Sequence, residues 1–546
     1  MSLEKEDGAV EKLMEEGKKK VDNDGDKYDE LNKLELSDHA ETAYAGMGKE
    51  ELMKYANSPF WVRLRWLLFV TFWLSWFAMM FGALFIIFFT PKCFPSSKHE
   101  WYQKSPVYII NASSLANESN FDEKIEYLQN LGVQNVVLTS VFQADGDKVI
   151  DFKQVNSFLG NNVTMKDLIK NLKTKGMKVM LKLVPNHSSK LNVMFVRSVL
   201  KEKYYDNYYI WNPGKDMGDD KHYPINNWLS VTGESAWSWD VNRKEFYLHK
   251  FSADEPDFNF RNEDVVKYFE EVFKYWLDMG VDGLYLDKVQ YLFEDKNLKN
   301  DTVITPNMNL KYDSLSHKAT SNLPETNELL SRWGDLIRNY SGVLIVSDLD
   351  SKDIKGINMI HSSVPLTSNF TGEQLLHAIL SKTTMPSSSW SSWEWVCTDK
   401  PNCWKNEMID AFNILGSLLP GVPFINADPK IFENNNIPNI TFIQSTLKEL
   451  RSMPTIEFGS FNAKLLNNYT VFAFDRVMSG SESLLFAWNL SQNVTVLNLN
   501  SFDGIPAEVN LSLCTETACS ILPSPNSKVN SNELRLAGES AVVLTF

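Results

Sequence analysis

Hydrophobic and polar positions divide the chain into regions of different character. Residues 1 to about 50 carry dense charge and few aromatic side chains, with Lys18, Lys19 and Lys20 in an acidic background of Asp22, Asp24, Asp26, Asp29 and Glu30. Such a segment has too little apolar surface to offset the entropy of ordering and predicts a solvated tail. Ala45 to Ala56 predicts a short helix. From Trp66 to Phe89 no charged residue occurs, and at ~1.5 Å per residue that run crosses the ~30 Å hydrocarbon core of a bilayer as one helix. It is too long, and begins too far from Met1, for a cleaved leader, so an uncleaved signal anchor is expected.

Beyond the span, apolar strand-like runs alternate with amphipathic helical ones, the pattern of βαβ units and a parallel sheet. Strands are predicted at Val107 to Ile110, Asn135 to Phe142, Lys178 to Val184, Gly283 to Asp287 and Val343 to Val346. Helices are predicted at Phe121 to Leu131, Met165 to Thr174 and Glu263 to Met279, and a further helix and strand around Ile409 to Asn426. Eight such units close a barrel; the pattern places six. Between Ser188 and Phe260 the alternation stops and aromatics crowd in, which predicts an insertion with its own small core. From about Asn462 short alternating strands (Thr470 to Phe474, Ser483 to Asn489, Val494 to Leu499, Ala541 to Phe546) predict a separate all-β module. There is no internal repeat and no glycine-rich phosphate loop.

The charge bias across the span is slight: Lys54, Arg63 and Arg65 precede it, Lys92 and Lys98 follow. N-x-S/T sequons orient it better. They begin at Asn111, Asn117, Asn162, Asn186, Asn300, Asn339, Asn369, Asn439, Asn468, Asn489, Asn493 and Asn510, and none precedes the span. Glycan acceptors belong to the lumenal or extracellular side, so the tail is expected in the cytoplasm and the body outside. The formal net charge of -15 excludes nucleic acid as a partner, because phosphate binding needs a basic patch. Cys397 and Cys403 are close in sequence, as are Cys514 and Cys519, so two local disulfides can form, as suits an oxidising compartment. No histidine sits near either pair, so no zinc site is expected. Cys93 is left over, and an odd cysteine just outside a membrane suggests an intermolecular bond or an unpaired thiol.

In a parallel barrel, reactive side chains stand at the C-terminal ends of strands. Asp287, after GLYL, and Asp348, after VLIVS, hold such places, and paired carboxylates are the minimum for glycoside hydrolysis; the alternative is that they cap following helices. The motifs KLVPNHSS (Lys182 to Ser189, with His187), YYIWNPG (Tyr208 to Gly214), NNWLSVTGESAW (Asn226 to Trp237), EPDFNFRN (Glu255 to Asn262), GVDGLYLDKV (Gly280 to Val289) and LPGVPFI (Leu419 to Ile425) resemble, in order, the α-amylase and oligo-α-glucosidase superfamily. The resemblance implies a TIM (β/α)8 barrel, a small domain inserted after the third strand and a C-terminal antiparallel β-sandwich, here behind a single transmembrane helix.

Departures from the family pattern carry as much information. Lys182 stands where the family has Asp before V-P-N-H, and Tyr285 where it has Arg before the nucleophile. Asp287 matches the nucleophile; Asp348 stands for a general acid that is Glu in the family. No N-H-D motif occurs, since His361 and His377 are the histidines between 360 and 430 and neither precedes Asp. The family's calcium loop is absent before Glu126, and no metal or cofactor is expected. An oxocarbenium-like transition state needs an ionised nucleophile, an acid and flanking charge stabilisation. The resemblance thus implies a degenerate catalytic set, with Asp287, Asp348, His187, Tyr285 and Lys182 as its remnants. Lys182 and Asp287 fall near the ends of adjacent strands, so the ammonium is expected beside the former nucleophile.

Such a barrel behind a single-span anchor resembles the heavy chains of heteromeric amino-acid transporters. YAGMGKEEL (Tyr44 to Leu52), SPFWVRLRW (Ser58 to Trp66) and TPKC (Thr90 to Cys93) are similar to that family's membrane-proximal stretch. The tail and anchor look closest to the 4F2-type surface-antigen branch, the insertion to the basic-amino-acid and cystine branch. The resemblance implies a type II plasma-membrane glycoprotein, disulfide-linked through Cys93 to a polytopic light chain that it escorts and stabilises. The expected organisation is a tail at 1-65, an anchor at 66-89, a neck at 90-104, a barrel at 105-460 with its insertion at about 188-260, and a sandwich at 461-546. Glycans are expected among Asn111, Asn117, Asn162, Asn300, Asn339, Asn369, Asn439, Asn468, Asn489, Asn493 and Asn510. Two other readings stay open: a membrane-anchored α-glucosidase using Asp287 and Asp348, and an adhesion or receptor scaffold.

Overall fold

The computed structural model describes residues 48-89, 99-115, 121-218, 221-305, 311-349, 354-383, 389-399, 404-426 and 441-546. The chain divides into two units, Met1–Pro95 and Ser96–Phe546. In the first, α1 (Lys49–Ala56) has Glu50 and Glu51 in its first turn and Lys54 in its last, charges that complement the helix dipole. Gly48, in extended conformation, caps it; residues 45–47 of the expected helix lie outside the described residues. The second helix, α2 (Pro59–Phe89), is long and apolar enough to cross a membrane. Trp66, Phe69, Trp73 and Phe77 form a ladder along it with ring centroids 5.8 to 6.2 Å apart, and the Arg65 guanidinium donates to the carbonyl of Ala56 at the end of α1.

The second unit is built on a closed barrel of eight parallel strands: β1 (Val107–Asn111), β2 (Asn135–Thr139), β3 (Lys178–Leu183), β4 (Gly283–Leu286), β5 (Val343–Ser347), β6 (Met359–Leu366), β7 (Trp390–Cys397) and β8 (Val422–Asn426). Each pairs with its sequence neighbours, and β8 returns to β1. Both faces are buried, which is why most of these strands read as continuous apolar runs. Val107, Val137, Met180, Tyr285, Ile345, Met359 and Phe424 fill the interior, while Tyr108, Val136, Leu181, Leu284, Leu344 and Ile360 belong to the core outside it. Gly283 has no room for a side chain: a Cβ there would stand 2.4 Å from the Val343 carbonyl oxygen of β5.

The surrounding helices are α3 (Phe121–Asn130), α4 (Asn162–Thr174), α5 (Glu263–Met279), α6 (Pro324–Asn339), α7 (Gly372–Thr383), α8 (Asn406–Leu418) and α9 (Phe442–Arg451). Asn262 caps α5 by accepting from the Asp264 N–H, and Gly280 ends it at φ 110°, as a residue without Cβ can. Its inward stripe includes Phe269, Phe273 and Trp276; Phe273 meets Trp333 of α6 edge-on at 5.0 Å. α4 starts before the expected Met165 because Asn161 accepts from the Val163 and Thr164 N–H groups.

The strand expected to run from Asn135 to Phe142 stops at Thr139: the chain turns at Ser140 (φ 56°) into a hairpin, Phe142–Asp145 with Lys148–Val155. The insertion carries a three-stranded sheet of Trp211–Asn212, Trp237–Asp240 and Glu245–Leu248 over a small core of Trp228, Trp237, Phe246 and Leu248.

A short helix, α10 (Pro454–Phe458), leads from the barrel into a six-stranded antiparallel sheet of β9 (Ser460–Leu466), β10 (Val471–Val477), β11 (Leu484–Asn489), β12 (Glu508–Cys514), β13 (Ser527–Asn530) and β14 (Ala541–Thr545), in the order β9-β10-β11-β14-β12-β13. A two-stranded ribbon, Thr495–Leu497 with Leu534–Leu536, completes the sandwich. Side chains alternate between two cores: Phe472, Phe474, Phe486 and Trp488 face the one shared with α8 and α9, and Val471, Ala473, Leu485 and Ala487 the one shared with the ribbon. Where the second unit begins, His99 Nδ1 lies 2.5 Å from Glu457 Oε1 of α10; its ring stacks on Phe458 at 4.7 Å and meets Trp390, the first residue of β7, at 4.8 Å.

Trp333 is fully buried between α5 and the strands. Trp333→Ala should cost about 3–5 kcal/mol of the second unit's stability in denaturant titration. Val163→Ala, at a residue 68% exposed, should stay within about 0.5 kcal/mol of the parent.

Candidate functional site

Side chains from five neighbouring strands converge at the C-terminal mouth of the barrel. Lys182 of β3 places Nζ 2.8 Å from Asp287 Oδ2 and 5.3 Å from the Tyr285 ring centroid. Asp287 follows β4 directly; its N–H donates to the Leu183 carbonyl at 2.9 Å, and its Oδ1 accepts from the Lys288 N–H at 2.9 Å. Lys288 sits at φ 61°, and its N–H also meets Ser347 Oγ at 3.0 Å. Burial alone would push the Asp287 carboxyl up, but the Lys182 ammonium, helped by Lys288 and Ser347, holds it below the ordinary carboxylate range.

Asp348 follows β5 at φ 43° and accepts from the Ser363 N–H at 3.0 Å. Burial raises its carboxyl in spite of that bond and of the nearby His361 and Lys382. On the next strands, His361 of β6 lies fully buried, with Nε2 3.1 Å from Glu394 Oε2 of β7 and Nδ1 3.2 Å from Ser392 Oγ. The sequence argument found no third carboxylate in this part of the chain; the barrel holds one in Glu394. A lone acid in the aromatic run W-E-W was its sequence signal, since an acid between strand aromatics must point somewhere polar. The Tyr285 hydroxyl marks the convergence: burial first, then the charges of Asp287, Glu394 and Asp348, all push its ionisation well up.

His187 lies beyond β3. Its Nδ1 is 3.1 Å from Asn186 Oδ1 and its Nε2 3.5 Å from Glu255 Oε1. Burial, then the Lys288 charge, pushes the imidazole down to about 4, so it is neutral at physiological pH. Among the described residues no group of three or more His, Cys, Asp or Glu side chains could hold a metal ion. The groups gathered at the mouth are three carboxylates, the Lys182 ammonium, the His361 imidazole and the hydroxyls of Tyr285, Ser347 and Ser392. Asp348 keeps a carboxyl raised by burial, whereas both Asp287 oxygens are engaged, one by an ammonium and one by a backbone N–H.

Elsewhere, Cys514 and Cys519 form a disulfide with Cα atoms 5.4 Å apart. Cys397, the last residue of β7, is disulfide-bonded as well; Cys403 and Cys93 lie outside the described residues, as do Asn117 and Asn439.

The closed barrel, the insertion after β3 and the acids at the mouth define a glucosidase-like class of protein. The family description "Alpha amylase, catalytic domain" matches residues 120–408, and the chain belongs to that family. A second description, "Solute carrier family 3 member 2 N-terminus", matches residues 32–108, the stretch that contains α1 and α2. The chain is similar to the "Amino acid transporter heavy chain SLC3A1" of Rattus norvegicus, 28% identical over 418 residues, covering 70% of this chain and 60% of the relative. It is similar also to an "Alpha-glucosidase" of Culex pipiens, 32% identical over 259 residues, 45% of this chain and 44% of the relative. The matched part thus spans 44% to 60% of those relatives' own lengths. The solved structure of an alpha-glucosyl transfer enzyme, XgtA, superposes with a TM-score of 0.68 at 20% identity, over 82% of this chain and 100% of that one, a likeness of fold. The resemblance to transporter heavy chains with a glucosidase-like ectodomain therefore has support from both halves of the chain.

Lys182→Met should leave the 8%-exposed Asp287 without its ammonium and cost about 1–3 kcal/mol near neutral pH. The pH dependence follows from the direction of the Asp287 shift. A carboxyl held below its unfolded pKa (~3.9) stabilises the fold above that pH, and the contribution is lost as pH falls through the folded value. In the variant burial acts unopposed by Lys182, so the gap between parent and Lys182→Met should narrow as urea titrations move from about pH 7 to about pH 3.

Proposed function

We propose that this chain is the non-catalytic heavy-chain subunit of a heteromeric amino-acid transporter, a type II plasma-membrane glycoprotein that escorts a polytopic light chain to the surface and stabilises it there. The observation that carries this reading is the order of parts: a solute-carrier N-terminal stretch over 32–108 runs straight into a glucosidase barrel over 120–408. The proposed organisation is a cytoplasmic tail to residue 65, an anchor over 66-89, an extracellular neck over 90-104, the barrel over 105-460 and the sandwich from 461. Cys93 would supply the interchain disulfide and Cys397–Cys403 a local one.

The absence of turnover is supported by the site. A nucleophile must be ionised and unencumbered to attack an anomeric carbon, and Asp287 carries the Lys182 ammonium at 2.8 Å. Tyr285 supplies no positive charge where the family has Arg, and Asp348 is one methylene shorter than Glu, a displacement of about 1 Å that can cost ~100-fold. The enzyme reading has its own supporting observation, the three carboxylates around Tyr285. Maltose hydrolysis by the secreted ectodomain decides between the two: none is expected, and turnover abolished by Asp287→Asn would establish the glucosidase.

A disulfide between chains already associated through other contacts adds effective concentration and does not create the complex. Cys93→Ser should therefore remove the high-mass species from a non-reducing gel of membranes co-expressing a light chain, while leaving part of that light chain at the surface. A high-mass species that persists without reductant in the variant would refute the assignment.

A further inference from the structure

The extracellular placement proposed above makes each sequon after the anchor a substrate for N-glycosylation, and the geometry of the asparagine amides sorts them. We infer that folded chains carry N-glycans at Asn111, Asn300, Asn339 and Asn369 on the barrel and at Asn468, Asn493 and Asn510 on the C-terminal sheets, and none at Asn162, Asn186 or Asn489, whose side chains are structural joints. This rests on the proposed topology.

The chemistry sets the criterion. In the transfer, a bond forms between Asn Nδ2 and the sugar C1 as the C1–O bond to a lipid diphosphate-linked oligosaccharide breaks. The diphosphate leaves with the electron pair, and Nδ2 gives up one proton. The product amide keeps one hydrogen and its carbonyl oxygen, and the sugar it bears has to stand in water. An acceptor asparagine in the folded protein therefore tolerates a bond to Oδ1. It tolerates neither burial nor the commitment of both Nδ2 hydrogens.

Asn489, at the end of β11, fails on both counts. It is 0% exposed, and Nδ2 is within bonding distance of the carbonyls of Asn493 (2.8 Å), Leu536 (3.3 Å) and Ala537 (2.9 Å). It thus joins the six-stranded sheet to the ribbon strand Leu534–Leu536. Its Oδ1 accepts from the N–H and the hydroxyl of Ser491, at 3.0 and 2.8 Å. Asn493, four residues on, is exposed and contributes to the joint only its carbonyl. Of two consecutive sequons, one fastens the sandwich and the other faces water.

Asn186 is 1% exposed, and its Nδ2 donates to the Tyr291 carbonyl at 2.8 Å. Asn162 is half-buried; Nδ2 donates to the Lys153 carbonyl at 3.1 Å and to the Tyr275 hydroxyl at 2.5 Å, and Oδ1 accepts from the Val155 N–H. Both of its hydrogens are committed. The seven acceptors named above are exposed. Where their side chains bond at all they do so through Oδ1, Asn111 from Ser113 and Asn300 from Asn227. Transfer precedes folding, so a chain modified at Asn489 could not assemble the sandwich, and the pool that reaches the surface is selected against it.

The test uses the full chain co-expressed with a light chain, with the surface pool captured by biotinylation and deglycosylated by an amidase in heavy-oxygen water. Peptide mass spectrometry then reads each formerly glycosylated Asn as labelled Asp. Label at Asn493 with Asn489 unlabelled in the same peptides, and at the other exposed sites, is the expected result. Label at Asn489, Asn186 or Asn162 in the surface pool would overturn the inference while leaving the topology standing; no label at any sequon would overturn the topology and the inference with it. Two variants give an independent readout. Asn493→Gln should remove one glycan's worth of gel mobility at a surface level within about 2-fold of the parent. Asn489→Gln should leave the glycan number unchanged while surface protein falls several-fold. Loss of a mobility step in Asn489→Gln would equally refute the assignment.

Discussion

Hydrogen bonds between β8 and β1 close the sheet, with Val107 opposite Phe424 and Ile109 opposite Asn426, and no strand is left as an edge. The rest of the second unit is built around that closure. Helices α3 to α9 are held against the outward faces, the interior is a packed apolar layer, and the C-terminal ends of the strands gather at one mouth. The insertion leaves from β3 at the mouth, and the sandwich shares a core with α8 and α9. The ring is not uniform. β6 and β7 pair over the full run from Met359–Trp390 to Leu366–Cys397, but β7 and β8 share only the Ser392–Val422 and Trp393–Pro423 pairs.

A closed interior makes ionised groups expensive unless each finds a partner. At the mouth every acid has one: Asp287 has Lys182, Asp348 has the Ser363 N–H, Glu394 has His361. The charge of these groups is thus directed at protein neighbours. The same logic governs Lys250 in the insertion, 3% exposed, bonded to Thr320 Oγ1 at 2.8 Å and set over the rings of Tyr291 and Tyr312. Burial, opposed by Asp301 and Asp257, pushes its ammonium down to about 8.

What could be read from the sequence follows from what each strand faces. β1 to β5 and β8 are mostly apolar on both sides, and the hydrophobic pattern locates them. β6 and β7 escape it because their inward positions belong to the site: His361 and Ser392 interrupt the run, and Glu394 sits between Trp393 and Trp395. The strands hardest to find were thus the two whose apolar run is broken by polar side chains within the strand, and the third carboxylate was missed with its strand. The nearness of Lys182 to Asp287 was legible, since adjacent strand ends are adjacent in space. β13 was not, because Ser527–Asn530 is a four-residue edge strand that buries Val529 alone. Sequons are countable in a sequence, but whether an amide is a joint or a surface group depends on tertiary partners such as Leu536 and Ala537, far from Asn489 along the chain.

The contacts of His99 have a mechanical consequence. A pull arriving along the chain from its N-terminal side meets His99 before it meets β1, and His99 is fastened to Glu457 and Phe458 of α10 and packed on Trp390 at the foot of β7. Tension is therefore shared among β7, the barrel-to-sandwich connection and the first strand. Without that fastening the same tension would fall first on β1 and on its pairings with β2 and with β8, the least extensively paired strand of the ring.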